Sequence, residues 1–179
     1  MTKRVLTTMA MVVGALVFGG AIASACGDKF VLLGRGSLVA RSKFPSTILI
    51  FMNPSSRVPA ADKEFHVEAI LKAAGHKAQV AESPADVQKA LASGKYDLVL
   101  ADYNDVPALR KEASAMPTKP VVLPLLYKPT PAELSTAEKE AQCLVKPSKA
   151  SRDLLVVVDQ TLAERRKGVG AICDGVGGN

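Results

Sequence analysis

The chain has no tryptophan, and aromatic residues make up only 4% of its 179 positions. It therefore has few of the stacking platforms on which single-stranded nucleic acids bind. Its positive charge is modest, +6 overall, and much of it is dispersed. The one compact basic cluster, at 165–167, suits the carboxyl end of a helix, where cations complement the dipole. We expect no nucleic-acid partner.

Metal-binding and hydrolytic motifs are also missing. The three cysteines form no CxxC pair and the two histidines lie far from them in sequence, which argues against a zinc site. No GxSxG motif occurs, so the nucleophile turn of the common α/β hydrolases is absent. We predict that the chain is not an enzyme and carries no cofactor.

No apolar run reaches the roughly 20 residues of a membrane span. The longest one, at 9–22, follows Lys3 and Arg4 and precedes the small residues at 23–25. A secretory signal peptide typically begins with positive charge, continues with a short apolar segment and ends in small residues at the cleavage site. We therefore predict a signal peptide over 1–25 and a periplasmic or cell-envelope location.

The end of this signal allows two kinds of processing. Ala23-Ser24-Ala25-Cys26 resembles the bacterial lipobox, which implies lipidation of Cys26 and attachment to the membrane. The same residues also fit ordinary cleavage after Ala25. If lipid occupies Cys26, the two cysteines left in an oxidising compartment are expected to form a Cys143–Cys173 disulfide.

The remaining 154 residues (179 − 25) suffice for one domain. We predict a tether over 26–45, an α/β domain over 46–167 and a glycine-rich tail over 168–179. Within 46–167, short apolar runs alternate five times with helical patterns. Near-continuous apolar strands separated by helices are typical of a doubly wound parallel sheet covered on both faces. The apolar runs begin near positions 47, 78, 97, 120 and 143.

Helix signals lie between these runs. Apolar residues at helical spacing predict one helix over 63–74. Ser83 is the predicted N-cap of the next helix, and Thr130 with Glu133 predicts a capping box at the start of another.

Two stretches carry a family resemblance, the run from Tyr96 to Asp102 and Leu144-Val145-Lys146-Pro147. With five βα units of the right size, the chain resembles a response-regulator receiver domain of the CheY-like, flavodoxin-like kind. The resemblance implies strand order 2-1-3-4-5. It also implies that Asp102 corresponds to the phosphoacceptor of a phosphorelay and Lys146 to its paired lysine.

Other receiver positions are not matched. Receivers carry two acids at the end of the first strand, where they hold Mg²⁺, but the corresponding positions, 51–54, contain no acid. The Ser or Thr after the fourth strand is also missing, since positions 124–127 read Pro-Leu-Leu-Tyr. Without the metal, charge on a transferring phosphoryl group lacks its main compensation. The domain is therefore interpreted as a degenerate receiver, with Asp102 and Lys146 as a structural pair.

The strand ends also define a candidate ligand site. In this fold the ligand crevice lies between the first and third strands. That rule brings Asn53, Ser55 and Arg57 close to Asp102 and Asn104.

We predict a non-catalytic protein-binding module in the cell envelope, anchored to the membrane through Cys26. Two alternatives stay open, a phosphoacceptor that uses Asp102 and a small-ligand binder at the strand ends.

Overall fold

The structure, a computed structural model, describes residues 30–33, 37–141, 143–147 and 151–168. Strands and helices alternate over most of this length. The strands are β1 (Phe30–Leu33), β2 (Ser37–Ala40), β3 (Thr47–Phe51), β4 (Lys77–Ala81), β5 (Leu98–Asp102) and β6 (Val121–Leu125). The helices are α1 (Val58–Phe65), α2 (Val67–Ala73), α3 (Pro84–Ala92), α4 (Val106–Ser114), α5 (Pro131–Glu140) and α6 (Ser151–Lys167).

Four parallel strands form the main sheet, in the spatial order β4-β3-β5-β6. The predicted α/β class with a parallel sheet is therefore confirmed. The predicted five-stranded sheet with order 2-1-3-4-5 is not confirmed, because the fifth segment contributes one isolated parallel bridge, between Val145 and Leu125. Among the described residues it forms no regular strand.

Pro124 gives a physical reason for this short pairing. Its carbonyl accepts a hydrogen bond from Val145 N at 2.8 Å, and Leu126 N donates to Val145 O at 2.8 Å. Because the backbone groups of Pro124 face the fifth segment, the next bond of the ladder would need a proline N–H. Proline has none, so pairing ends there.

Helices cover both faces of the sheet, which explains why β3, β5 and β6 are almost entirely apolar and buried, whereas the edge strand β4 carries exposed residues. One face packs against α1, α2 and α6, and the other against α3 and α4. The first face presents Ile48, Ile50, Leu98, Leu100 and Leu123, and the second presents Leu49, Phe51, Val99, Ala101 and Val122.

Two helix starts follow the predicted capping chemistry. Ser83 Oγ accepts from Asp86 N at 3.1 Å at the start of α3. At the start of α5, Thr130 and Glu133 form a capping box. The region before β4 differs from the prediction of one helix over 63–74. There Pro59 lies in the first turn of α1, and His66, with φ 54°, separates α1 from α2.

An antiparallel hairpin, β1–β2, lies within the segment that was predicted to be a tether. It places Phe30 opposite Ala40, and Val39 is fully buried in the core. The predicted signal peptide and Cys26 lie outside the described residues, as does the tail beyond Gly168. No helix in the described part of the chain has the length and apolarity that crossing a bilayer requires.

Candidate functional site

Asp102 ends β5 at the carboxyl edge of the sheet, with 2% of its surface exposed. Its Oδ2 accepts a hydrogen bond from Arg57 N at 3.1 Å. Its Oδ1 accepts from Asn104 N and from Asn104 Nδ2, both at 3.0 Å. The carboxylate therefore holds the loop after β3 against the turn that follows β5.

The Arg57 side chain pairs with an acid in the first turn of α5. Its guanidinium forms an ion pair with Glu133, with an Nη1–Oε2 distance of 3.3 Å, and Nη1 lies 3.4 Å from Tyr127 O. The hydrogen bond from Arg57, aided by the N–H of Thr130, lowers the pKa of Glu133 to about 2. The same bond raises the pKa of Arg57. The one cation among the predicted rim residues is thus paired with an anion.

A second acid lies beside Asp102. Asp105 accepts hydrogen bonds from Asn53 Nδ2, whose nitrogen is 3.4 Å from each carboxylate oxygen. Burial raises the pKa of Asp105, the Asn53 bond opposes that rise, and the charge of Asp102 adds to it. The Asn53 side chain is fixed on its other side as well, since its Oδ1 accepts from Ser55 N at 3.0 Å.

Lys146 does not form the predicted pair with Asp102. Its Nζ lies 2.7 Å from Glu138 Oε1 on α5, and among the described residues no ion pair joins it to Asp102. The physical reason is that N–H groups from two loops already occupy both oxygens of Asp102, while Glu138 offers an exposed carboxylate close to Lys146.

The structure brings together the four predicted rim residues, Asn53, Ser55, Arg57 and Asn104, around Asp102 and Asp105. Sequence reasoning missed Glu133 as part of this site. Its capping box with Thr130 was visible in the sequence, but the contact with Arg57 depends on how two loops meet. Within the described ranges, no group of three or more His, Cys, Asp or Glu side chains could hold a metal ion.

Cys143 is disulfide-bonded. Cys173 lies outside the described residues, so its pairing with Cys143 stays a prediction.

Cavities in the described surface include one beside the rim and a larger one elsewhere. The smaller, about 180 Å³, adjoins the rim and is bordered by Asn104, Arg110 and Glu140. It is below the usual 300–1,000 Å³ range of ligand pockets. The larger, about 580 Å³, lies away from the rim between residues 40–44 and α6.

Comparison with known proteins gave no match to a family model, a curated protein or a solved structure.

Proposed function

We propose that this chain is an exported, lipid-anchored, degenerate receiver-like domain that binds a protein partner in the cell envelope without catalysing a reaction. The observation that carries the non-catalytic reading is the burial of Asp102 together with the hydrogen bonds to both of its oxygens. Under this proposal, the segment around Val145, which bridges to Leu125 at the outer side of β6, is the remnant of a fifth receiver strand.

The state of Asp102 argues against phosphotransfer. A carboxylate that attacks a phosphoryl group needs one oxygen free to approach in line, and the developing charge needs cations. Three N–H groups occupy the oxygens of Asp102, and Lys146 pairs with Glu138. An acid at position 53 is also missing, since Asn53 stands there.

The ion pair at the rim also makes it a weak candidate for binding a small anion. Arg57 would have to leave Glu133 before it could contact such a ligand. Its backbone N–H is likewise engaged with Asp102.

The open edge of β4 supports protein binding. Among the described residues, no strand pairs with the outer side of β4. Lys77 N donates to Ser46 O, and Ala81 O accepts from Met52 N, so these two residues turn their backbone groups toward the sheet. The alternate residues, Ala78 and Val80, turn theirs outward. An edge of this kind can pair with an extended segment of another protein.

Val80 adds an apolar contact at that edge. It is 36% exposed and is the large hydrophobic residue that stands out on the described surface. We propose that a strand of the partner pairs with β4 and covers Val80.

Photo-crosslinking in cells tests this function. A benzoyl-phenylalanine at exposed Lys77 should give an adduct of discrete size with an envelope protein, and the same probe at Lys63, on α1, should not. Val80→Pro removes one outward N–H while leaving the bonds between β3 and β4 intact, so it should abolish the adduct. Equal adducts at both probe positions, or no effect of Val80→Pro, would contradict the proposal.

Mass spectrometry of the N-terminal peptide from membranes tests the anchor separately. Acylated Cys26 at the mature terminus is expected. An unmodified terminus, or a chain that retains residues 1–25 in the cytoplasm, would refute the proposed anchor.

A further inference from the structure

The larger cavity has two walls of different origin. One wall is the segment 40–44, which leads into β3, and the other is the face of α6 from Arg152 to Ala163. Its volume of about 580 Å³ falls in the range of ligand-binding pockets. The rim site described above contributes no residue to it.

Cations dominate the charge on this cavity. Arg41, Lys43 and Arg152 line it, and in the described part of the chain none of their side chains forms an ion pair. The one carboxylate of the lining, Asp159, accepts from Ser42 Oγ and, at 3.3 Å, from Lys43 N. Because those bonds fasten the two walls to each other, Asp159 has a structural role, and three unpaired cations remain for an anion.

Apolar groups complete the lining. Leu155, Val156 and Ala163 form an apolar strip along α6. The chemistry fits an anionic group joined to an apolar body.

The β1–β2 hairpin brings the chain that leads from the proposed anchor close to this cavity. Phe30 is the pairing partner of Ala40, which lines the cavity. Paired residues of antiparallel strands lie about 5 Å apart. Only four residue steps separate Phe30 from Cys26, and they span at most about 14 Å. The lipid-bearing residue would therefore lie within about 20 Å of the cavity.

We propose that this cavity binds the headgroup of an anionic phospholipid, such as phosphatidylglycerol, in the membrane that holds Cys26. The three cations contact the phosphate, and the apolar strip contacts the glycerol backbone and upper acyl chains. The inference rests on the proposed anchor, and it assigns the membrane-facing side of the domain.

Vesicle co-sedimentation tests this site without the anchor. The protein is the chain from position 26 to Asn179 with Cys26→Ser, which removes no described residue. It should bind vesicles of equal phosphatidylglycerol and phosphatidylcholine, and not vesicles of phosphatidylcholine alone. Each basic residue near an anionic surface contributes about a factor of five. The triple variant Arg41→Gln, Lys43→Gln, Arg152→Gln should therefore bind about 100-fold more weakly.

A matched triple variant controls for net charge. Lys89, Arg110 and Lys111 are exposed on α3 and α4, the helices on the opposite face of the sheet. Replacing all three with Gln should change vesicle binding by less than about threefold, since charge is screened over about 8 Å and the sheet separates these residues from the cavity. Equal losses in the two triple variants would overturn the assignment of this face.

Two further arms test the cavity itself. Ala163→Trp fills it and keeps every charge, so vesicle binding should fall at least about tenfold, as expected for loss of an inserted headgroup. Unchanged binding in a folded variant would overturn the cavity site.

Soluble glycerol 1-phosphate should not displace the protein from vesicles at millimolar concentration. Displacement would mean that the ligand is a free phosphate ester. Vesicle binding with an unmodified Cys26 in cells would refute the anchor alone.

Discussion

Replacing Asp102 with Asn tests whether this carboxylate joins two loops or is held ready for chemistry. Arg57 N, Asn104 N and Asn104 Nδ2 donate to the Asp102 carboxylate. An amide offers one oxygen instead of two. With that oxygen turned toward Asn104, its NH₂ group faces the N–H of Arg57, so one bond is lost and two donors oppose each other.

The structure sets the magnitude of this effect. A hydrogen bond to a charged acceptor contributes about 1.5–3 kcal/mol, and leaving a buried donor without a partner costs about 1–3 kcal/mol. Because Asp102 is 2% exposed, water cannot easily replace the lost bond. We expect Asp102→Asn to lower the free energy of unfolding by about 2 kcal/mol, which corresponds to about 4–8 °C in melting temperature for a chain of this size.

Urea unfolding followed by circular dichroism measures the change, with Glu82→Gln as control. Glu82 is an exposed carboxylate, and its side chain forms no hydrogen bond within the described residues, so its replacement should change stability by less than about 0.5 kcal/mol. A rise in the free energy of unfolding on Asp102→Asn would refute the reasoning. In a cluster of acids, removal of one charge relieves repulsion and stabilises the fold, as expected if Asp102 belonged to a working phosphoacceptor site.

Three further predictions concern pH and redox state. Because Arg57 lowers the pKa of Glu133 from 4.5 to about 2, this pair stabilises the fold above pH 4.5 and its contribution is lost as pH falls toward 2. Urea midpoints measured across that window should therefore change less with pH in Glu133→Gln than in the parent chain. Burial lowers the pKa of His76 from 6.5, so the unfolded state binds the proton more readily and stability should fall as pH drops below about 6.5. His76→Phe should flatten that fall in the same assay, and an unchanged slope would exclude His76 as its source. Cys143 and Cys173 should resist alkylation in unfolded, non-reduced protein and react after reduction, and two reactive thiols before reduction would disprove the disulfide.

Local chemistry determined which elements the sequence could predict. The start of α3 needs only Ser83 and the N–H of Asp86, and the start of α5 needs only Thr130 and Glu133. Both helix starts can therefore be predicted from four consecutive residues. The break between α1 and α2 is not local in this sense. His66 adopts a left-handed backbone conformation there, with φ 54°. Residues other than glycine seldom adopt this conformation, and the neighbouring sequence does not predict it.

In the fifth strand, a single residue of the neighbouring strand limits the length of the predicted pairing. The apolar run at 143–145 was predicted to be a strand, and Val145 does bridge to β6. Its length was overestimated because the deciding residue, Pro124, lies in the neighbouring strand. Strand propensity describes a segment alone, whereas the number of ladder bonds depends on both partners.

For the rim, topology predicted proximity but not partners. Parallel strands end at one edge, which is sufficient to bring Asn53, Arg57 and Asn104 near Asp102. Which groups then pair depends on loop paths of an ångström or two. Arg57 reaches Glu133 because the loop before α5 places the first turn of that helix close to Arg57, and no spacing rule encodes this contact.

The anchor, the basic cavity and the β4 edge together imply one orientation of the domain. Phe30 lies opposite Ala40 at the cavity wall, so an anchor at Cys26 would hold the cavity at the bilayer. The edge of β4 belongs to the sheet, between the two helical layers. A partner strand could therefore reach Val80 from the side without displacing the headgroup. Membrane and partner should bind independently: replacing the three cavity cations should leave the Lys77 crosslink intact, and Val80→Pro should leave vesicle binding unchanged.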